Sequence, residues 1–402
     1  MLNNKINSYF LILFSLIPIS IISGPSISLT NILIIDISFL ILIFLKKDFN
    51  FLKSDSIKYL FILYIYLIFN SFISIDYEVG LARNLGFIRF IVLFIALNYF
   101  LNQASFLKKM LTAWTIIISL VLFDIFYESF SGKNIFGYGG PLVYGNRIVS
   151  FFKDEPIVGG YIYSFYLIIL GFLFNEFSQK KNFIVIFSIF FLIAIILTGE
   201  RSNTIKAFLG LIIFYFILRE YDFRKKLILL FTTIVIFLTL ILNSSFLKVR
   251  FIGQIQTYLS SNNEYFSIYK SGYEVFKNNK FFGVGNKNYR VEACKSENED
   301  LRKKEIYYCT THPHQIYFEF LSEHGLFGSI ILFFIFYKLI FSKYREIFKN
   351  NNYISLGSFS YIIITFIPLL PGGAFFSDYM LTIFMINLSV FYASNQRLNI
   401  FK

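Results

Sequence analysis

The chain has 402 residues, 56% of them hydrophobic, with 55 phenylalanines and a formal net charge of +13. That composition excludes a soluble domain. The basic excess does not point to nucleic acid, because Lys and Arg collect at the ends of apolar segments, where they orient a membrane protein.

Apolar runs of the length that crosses a bilayer, roughly 17–25 residues, recur along the whole chain. About twelve are read, over 8–24, 28–45, 57–74, 85–101, 109–127, 157–174, 182–198, 203–218, 226–243, 317–337, 352–370 and 376–394. They are expected to be helices, since a helix satisfies its own backbone in lipid, and they lack the alternation of barrel strands. The first run has only Lys5 ahead of it and no small-x-small cleavage site, so it reads as a retained span rather than a signal peptide. With the N-terminus in the cytoplasm, the inside segments hold 19 of the 37 Lys and Arg residues and the short outside segments hold 7. The other 11 fall in one long loop, a kind that crosses the membrane regardless of charge. The expectation is an all-α polytopic membrane protein, a single domain over 1–402 with both termini cytoplasmic. One large exterior loop subdomain, 244–315, lies between spans nine and ten.

Three outside segments stand out. Residues 128–156 form a glycine-rich loop and 198–203, TGERSN, a tight turn. The long loop holds KSGYEVFKNN, expected as a surface helix lying on the membrane, then the turn-rich GVGNKN, then a charged hairpin between Cys294 and Cys309. These are the chain's two cysteines, and an oxidising exterior favours a disulfide between them. The loop ends in THPHQIYFEFLSEHGLFG, residues 311–328, which contains all three histidines.

Histidine exchanges a proton near neutral pH, so this stretch is the natural place for chemistry. His312 and His324 read as structural, which leaves His314. Gln315, Glu319 and Glu323 follow at helical spacing and share a face. Gly325 and Gly328 read as a small-x-x-small pair that admits a neighbouring helix. Two histidines flanking one proline do not supply the ligands of a metal site, so no metal is expected. No Walker loop, dinucleotide fingerprint or nucleophile elbow is present, and no cofactor is expected. Arg147, Arg201 and Arg250 sit at the outer membrane edge, and Arg89 lies deeper in the fourth span. Each alone would serve as an interface anchor. Together they describe a cationic bowl whose guanidinium forks suit phosphate oxygens on an acidic lipid head group.

Several of these pieces resemble the bacterial O-antigen ligase family, which shares a domain with O-antigen polymerases. They are His314-Gln315 followed nine residues later by Gly325-Leu326-Phe327-Gly328, TGERS at 198–202, RIVSFFKDEPIVGGYI from Arg147, FFGVGNKNYR, and PLLPGGAFF at 368–376. The resemblance runs from about residue 80 to the C-terminus. It implies a metal- and nucleotide-independent, inverting glycosyltransferase of the C-type membrane fold, in the bacterial inner membrane with its site facing the periplasm. The implied donor is a glycan on undecaprenyl diphosphate, and the implied acceptor is lipid A–core or a growing polysaccharide. By the same analogy His314 is the base and Arg201 binds the diphosphate, with Arg147 beside it. The family carries a second essential arginine in the large loop. Lys270 falls where some relatives have arginine, with Arg250 and Arg290 as alternatives; a lysine there would offer a point charge without the fork. A lipid-linked oligosaccharide flippase is the rival from another class. It would place charges along a midplane path and show two related halves, whereas here the charges ring the outer rim and no half-repeat is visible.

Overall fold

The computed structural model describes residues 2–140, 147–153, 155–219, 221–253, 264–350 and 352–401. Part of the glycine-rich loop, 141–146, and Asp154 of the stretch that follows Arg147 lie outside the described residues. Among the described residues the regular structure is helical throughout. The principal helices are α1 (Leu2–Ser15), α2 (Ile17–Ile22), α3 (Pro25–Lys46), α4 (Asp55–Phe72), α5 (Tyr77–Gly86), α6 (Ile88–Leu101), α7 (Ala104–Ser131) and α8 (Val158–Glu176). They continue as α9 (Lys181–Leu197), α10 (Arg201–Ile217), α11 (Phe223–Asn243), α12 (Glu264–Asn278), α13 (Tyr289–Cys294), α14 (Ile316–Leu339), α15 (Tyr353–Thr365) and α16 (Asp378–Ser394).

Each expected apolar run carries a helix, but among the described residues only seven helical stretches are long and apolar enough to cross a membrane by themselves. Part of the difference has a structural cause. α9 and α15 are apolar but short, and α15 stops at Thr365, well before the expected boundary at 370. α8 and α15 are buried on nearly every side, as helices apolar all round are in a bundle core. α11 is largely exposed, with only Thr233 and Ile241 buried.

Long-range hydrogen bonds sort the connections to two ends of the bundle. At one end the Ile75 N–H donates to the Val284 carbonyl (3.0 Å), Asp76 N–H to Asn288 Oδ1 (2.9 Å) and Arg83 Nη1 to the Phe376 carbonyl (3.4 Å). At the other, Lys46 Nζ reaches Tyr99 Oη (2.9 Å), Asn399 Nδ2 the Asn98 carbonyl (3.1 Å) and Arg397 the Glu346 carboxylate (3.2 Å).

The long loop folds onto the first of these ends. Its helix α12 packs one face against the bundle: Ile268, Ser271, Gly272 and Val275 are buried, and Tyr269 stacks on Phe318 of α14 with ring centroids 5.4 Å apart. Val275, Val284, Tyr289, Ala293 and Tyr307 make a small apolar core of its own. Cys294 and Cys309 are joined by a disulfide, and the segment between them forms two short helical turns at Ser296–Asn298 and Glu299–Lys303.

The reading of Gly325 needs correcting. α14 breaks there, at φ 63° and ψ −168°, a conformation open to glycine and costly for residues with a Cβ. The groups freed by the break are taken up by the loop after α12. Val284 and Gly285 donate to the carbonyls of Ser322 (2.9 Å) and Glu323 (2.8 Å), while the Leu326 and Phe327 N–H groups donate to Lys280 (2.8 Å) and Phe281 (3.1 Å). Unpaired, each such group costs several kcal/mol in a lipid-embedded helix. Gly328 does serve close approach, because a Cβ there would run into the Tyr66 ring of α4. Replacing Gly325 by Ala strains the backbone and pushes a methyl into Gly283 and Phe281. It is expected to cost about 2 kcal/mol or more, read as a lower melting temperature of the detergent-purified chain; an unchanged melting curve contradicts this account.

Candidate active site

Arg147, Arg201 and Arg250 come together from three elements. Arg147 is positioned by α7, which ends in two buried carboxylates that hold the returning chain. Glu128 accepts from Val149 N–H (3.1 Å) and Ser150 N–H (2.7 Å), and Asp124 accepts from Ile135 N–H (3.0 Å) and Ser150 Oγ (2.5 Å). Arg147 Nη2 then donates to the Pro156 carbonyl (2.7 Å), and its Nε is buried without a hydrogen-bond partner among the described residues. Arg201 opens α10. Arg250 donates through Nε and Nη2 to the Gly199 carbonyl (3.3 and 3.2 Å), which docks it against the TGERS turn.

One carboxylate sits among these cations. Glu200 is buried and accepts from the Gly159 N–H (2.7 Å), the Gly160 N–H (3.1 Å) and Asn203 Nδ2 (2.7 Å), so it caps the start of α8 and ties it to α10. Burial raises its pKa above the ordinary carboxylate range, and those hydrogen bonds and Arg147 oppose that shift. Burial, followed by the charges of Arg147 and Arg201, holds the Arg250 pKa below its ordinary value.

The Pro371–Gly372 turn joins this cluster to the histidines. Its Pro371 carbonyl accepts from Ser202 Oγ and from Lys206 Nζ (2.9 Å), both on the first turns of α10. Gly372 N–H donates to the His314 carbonyl (2.8 Å), and the Gly372 carbonyl pairs with His312 Nε2 (3.2 Å). Tyr265 makes a second link, since it lies within electrostatic reach of Arg250 and its ring meets His314 edge-on at 6.0 Å. Arg201 and His314 therefore lie on the same side of the molecule.

The two histidines, 4.0 Å apart by ring centroids, have different surroundings. Both nitrogens of His312 are engaged, Nδ1 with Thr311 Oγ1 (2.9 Å) and Nε2 with Gly372. Burial and then His314 lower its pKa to about 4. His314 is half-buried, has φ 55°, and burial lowers its pKa below the usual imidazole value, so it is neutral at pH 7. His324 is buried in α14 against Tyr66 Oη (3.0 Å).

The expected supporting residues hold the scaffold. Gln315 caps α14 by accepting from the Tyr317 (2.8 Å) and Phe318 (3.0 Å) N–H groups. Both oxygens of Glu319 accept from Phe375 N–H (3.0 Å), and Glu323 faces Tyr289 N–H at 3.4 Å. Lys270, on α12, and Arg290, on α13, are exposed. Arg89 is ion-paired with Asp378. Sequence reasoning missed Lys206 and Lys287. Lys287, in the GVGNKN turn at φ 67°, stands within electrostatic reach of His312, Glu319 and Glu323. Among the described residues no group of three or more His, Cys, Asp or Glu side chains is placed to hold a metal ion.

Residues 186–333, from α9 through the break in α14, match the family model described as O-antigen ligase. That segment, a little over a third of the chain, is what is similar to the O-antigen ligase/polymerase family. Members of that family are membrane enzymes of glycosyltransferase type; the matched segment contains Arg201, Arg250, His312 and His314, while Arg147 and the Pro371–Gly372 turn lie outside it. A comparison with curated proteins finds no match. The scaffold role of Glu200 is testable in this framework. Glu200→Ala strips the cap from α8, with an expected loss of about 1–2 kcal/mol in thermal melting, whereas Asn203→Ala, which leaves both backbone donors paired, loses less; equal losses contradict the assignment.

Proposed function

We propose that the protein transfers a glycan from a lipid diphosphate, of the undecaprenyl type, to an acceptor hydroxyl on the periplasmic face of the inner membrane. The fold is then a twelve-span C-type glycosyltransferase. The observation that carries the reading is the Pro371–Gly372 turn, which holds the arginine-bearing helix on one side and both histidines on the other. In this reading His314 takes the proton of the acceptor hydroxyl as its oxygen attacks the anomeric carbon. The bond from that carbon to the diphosphate breaks on the opposite face, and the configuration inverts. Negative charge builds on the departing diphosphate, where Arg147, Arg201 and Arg250 are already fixed; preorganised donors of this kind typically contribute a few kcal/mol each. A positioned base adds about 10²–10⁴-fold. The left-handed backbone at His314, anchored by Gly372, fits a residue whose placement serves chemistry. His312, with both nitrogens engaged, is the orienting neighbour.

Attachment of a finished O-antigen-type chain to lipid A–core is the first reading, and polymerisation of repeat units is the second within the family. Deletion followed by gel analysis of surface polysaccharide separates them. Loss of all long chains from core with accumulation of lipid-linked polymer marks a ligase, and single repeats on core mark a polymerase. In either case His314→Ala and Arg201→Ala are expected to reduce transfer at least about 10²-fold at normal expression. Wild-type transfer should hold from neutral pH down past the ordinary imidazole pKa and fall only below it, because the lowered His314 pKa keeps the base unprotonated there. Long chains at wild-type levels with both substitutions combined contradict the reading.

A further inference from the structure

A chamber of 1090 Å³ lies beside the arginine cluster, lined from α2, α3, α5, α6, α7 and α16. Its volume is at the upper end of ligand pockets, about 300–1,000 Å³, and far exceeds the needs of a free phosphate ion. One wall is hydrocarbon, with Ile19, Ile22, Leu29, Ile117 and Leu120. Ile19, Leu29 and Leu120 are exposed on the protein surface, so that wall continues into the lipid-facing side of the bundle. The opposite wall is charged. Arg89 pairs with Asp378, and Arg83 Nη2 lies 3.4 Å from the same carboxylate. Two guanidiniums thus share one acid, and Arg89 Nε is buried with no hydrogen-bond partner among the described residues. Lys153 and Glu155 also line the chamber and are opposite in formal charge. Asp36 on α3 lies in the field of Arg89, but it is buried, is not among the chamber's lining residues, and its carboxylate makes no hydrogen bond among the described residues.

The chamber and the arginine cluster share a partition. Glu155 and Ile157 line the chamber, while the Pro156 carbonyl between them holds Arg147. Tyr379, also in the lining, lies within electrostatic reach of Glu200. Transfer between two membrane-borne substrates needs two places for an amphiphile at once, and the arginine cluster provides for one.

We propose that the chamber bounded by Arg83, Arg89 and Asp378 is a second lipid site, which seats the acceptor by a phosphate on its head group and by its hydrocarbon against α2, α3 and α7. This assignment rests on the transfer reading for the word acceptor, but not for the binding itself. Phosphate oxygens would meet the guanidinium edges that Asp378 leaves open, and the acyl chains would enter from the outer leaflet.

The test uses the full chain purified in detergent, with phosphatidic acid and diacylglycerol of the same acyl chains as probes and native mass spectrometry as the readout. Phosphatidic acid is expected to be retained about tenfold over diacylglycerol, a difference of about 1.4 kcal/mol. Arg83→Gln should abolish that preference, and Leu120→Trp, which narrows the apolar wall at an exposed position, should reduce retention of both. Equal retention of the two lipids overturns the proposal, as does a preference untouched by both variants. Displacement of phosphatidic acid by an equal concentration of inorganic phosphate overturns it in favour of a simple anion site. These readouts need no catalysis, so they stand or fall apart from the transfer reading. In a transfer assay Arg83→Gln should raise the KM for the acceptor more than it lowers kcat; a fall in kcat at constant KM overturns the acceptor role.

Discussion

The break in α14 at Gly325, sealed by four backbone hydrogen bonds from the loop at 280–285, is the constraint on which the rest depends. A lipid-embedded helix cannot leave four peptide groups unpaired, so the loop must dock. Docking fixes the subdomain that carries α12 and Tyr265 over the start of α14, where His314 stands. The same docking places Lys287 above the buried carboxylates of Glu319 and Glu323. The disulfide and the small core around Tyr289 then stiffen a unit whose position the break has set.

The site is assembled by backbone more than by side-chain pairs. The Pro371–Gly372 turn presents its carbonyls and an N–H to Ser202, Lys206, His312 and His314, and the Gly199 carbonyl receives Arg250. Glu200 spends its acceptors on the first turn of α8. The guanidiniums of Arg147 and Arg250 are therefore held in place by main-chain carbonyls, beside the helix start that carries Arg201. The lowered Arg250 pKa has the same origin, burial first and like charges second.

Much of this was legible from residue order. Apolar runs located every principal transmembrane-type helix, since hydrocarbon thickness leaves a strong signature, and the unusual concentration of histidine drew attention to 311–328. TGERS and the stretch from Arg147 pointed to the cations that the structure gathers. Tertiary geometry was less visible. Gly325 read as a packing residue because the local pattern is the same whether a small residue admits a helix or breaks one; the difference lies in a loop far away in sequence. Lys206 was counted as a helix-end charge, and nothing local shows that its ammonium reaches Pro371. Asp124 and Glu128 were not singled out in the sequence, although acids buried in a span are costly unless paired; that cost is a signal by which these anchors of the returning loop could be found.

The central claim is that the arginine cluster holds a lipid diphosphate while His314 acts on the acceptor, two roles within one site. It is tested most directly by measuring retention of undecaprenyl diphosphate and undecaprenyl monophosphate on the purified chain and on Arg201→Gln and His314→Ala variants. The account predicts a preference for the diphosphate that is lost in Arg201→Gln and kept in His314→Ala. Retention unaffected by Arg201→Gln, or lost to the same extent in both variants, would contradict it.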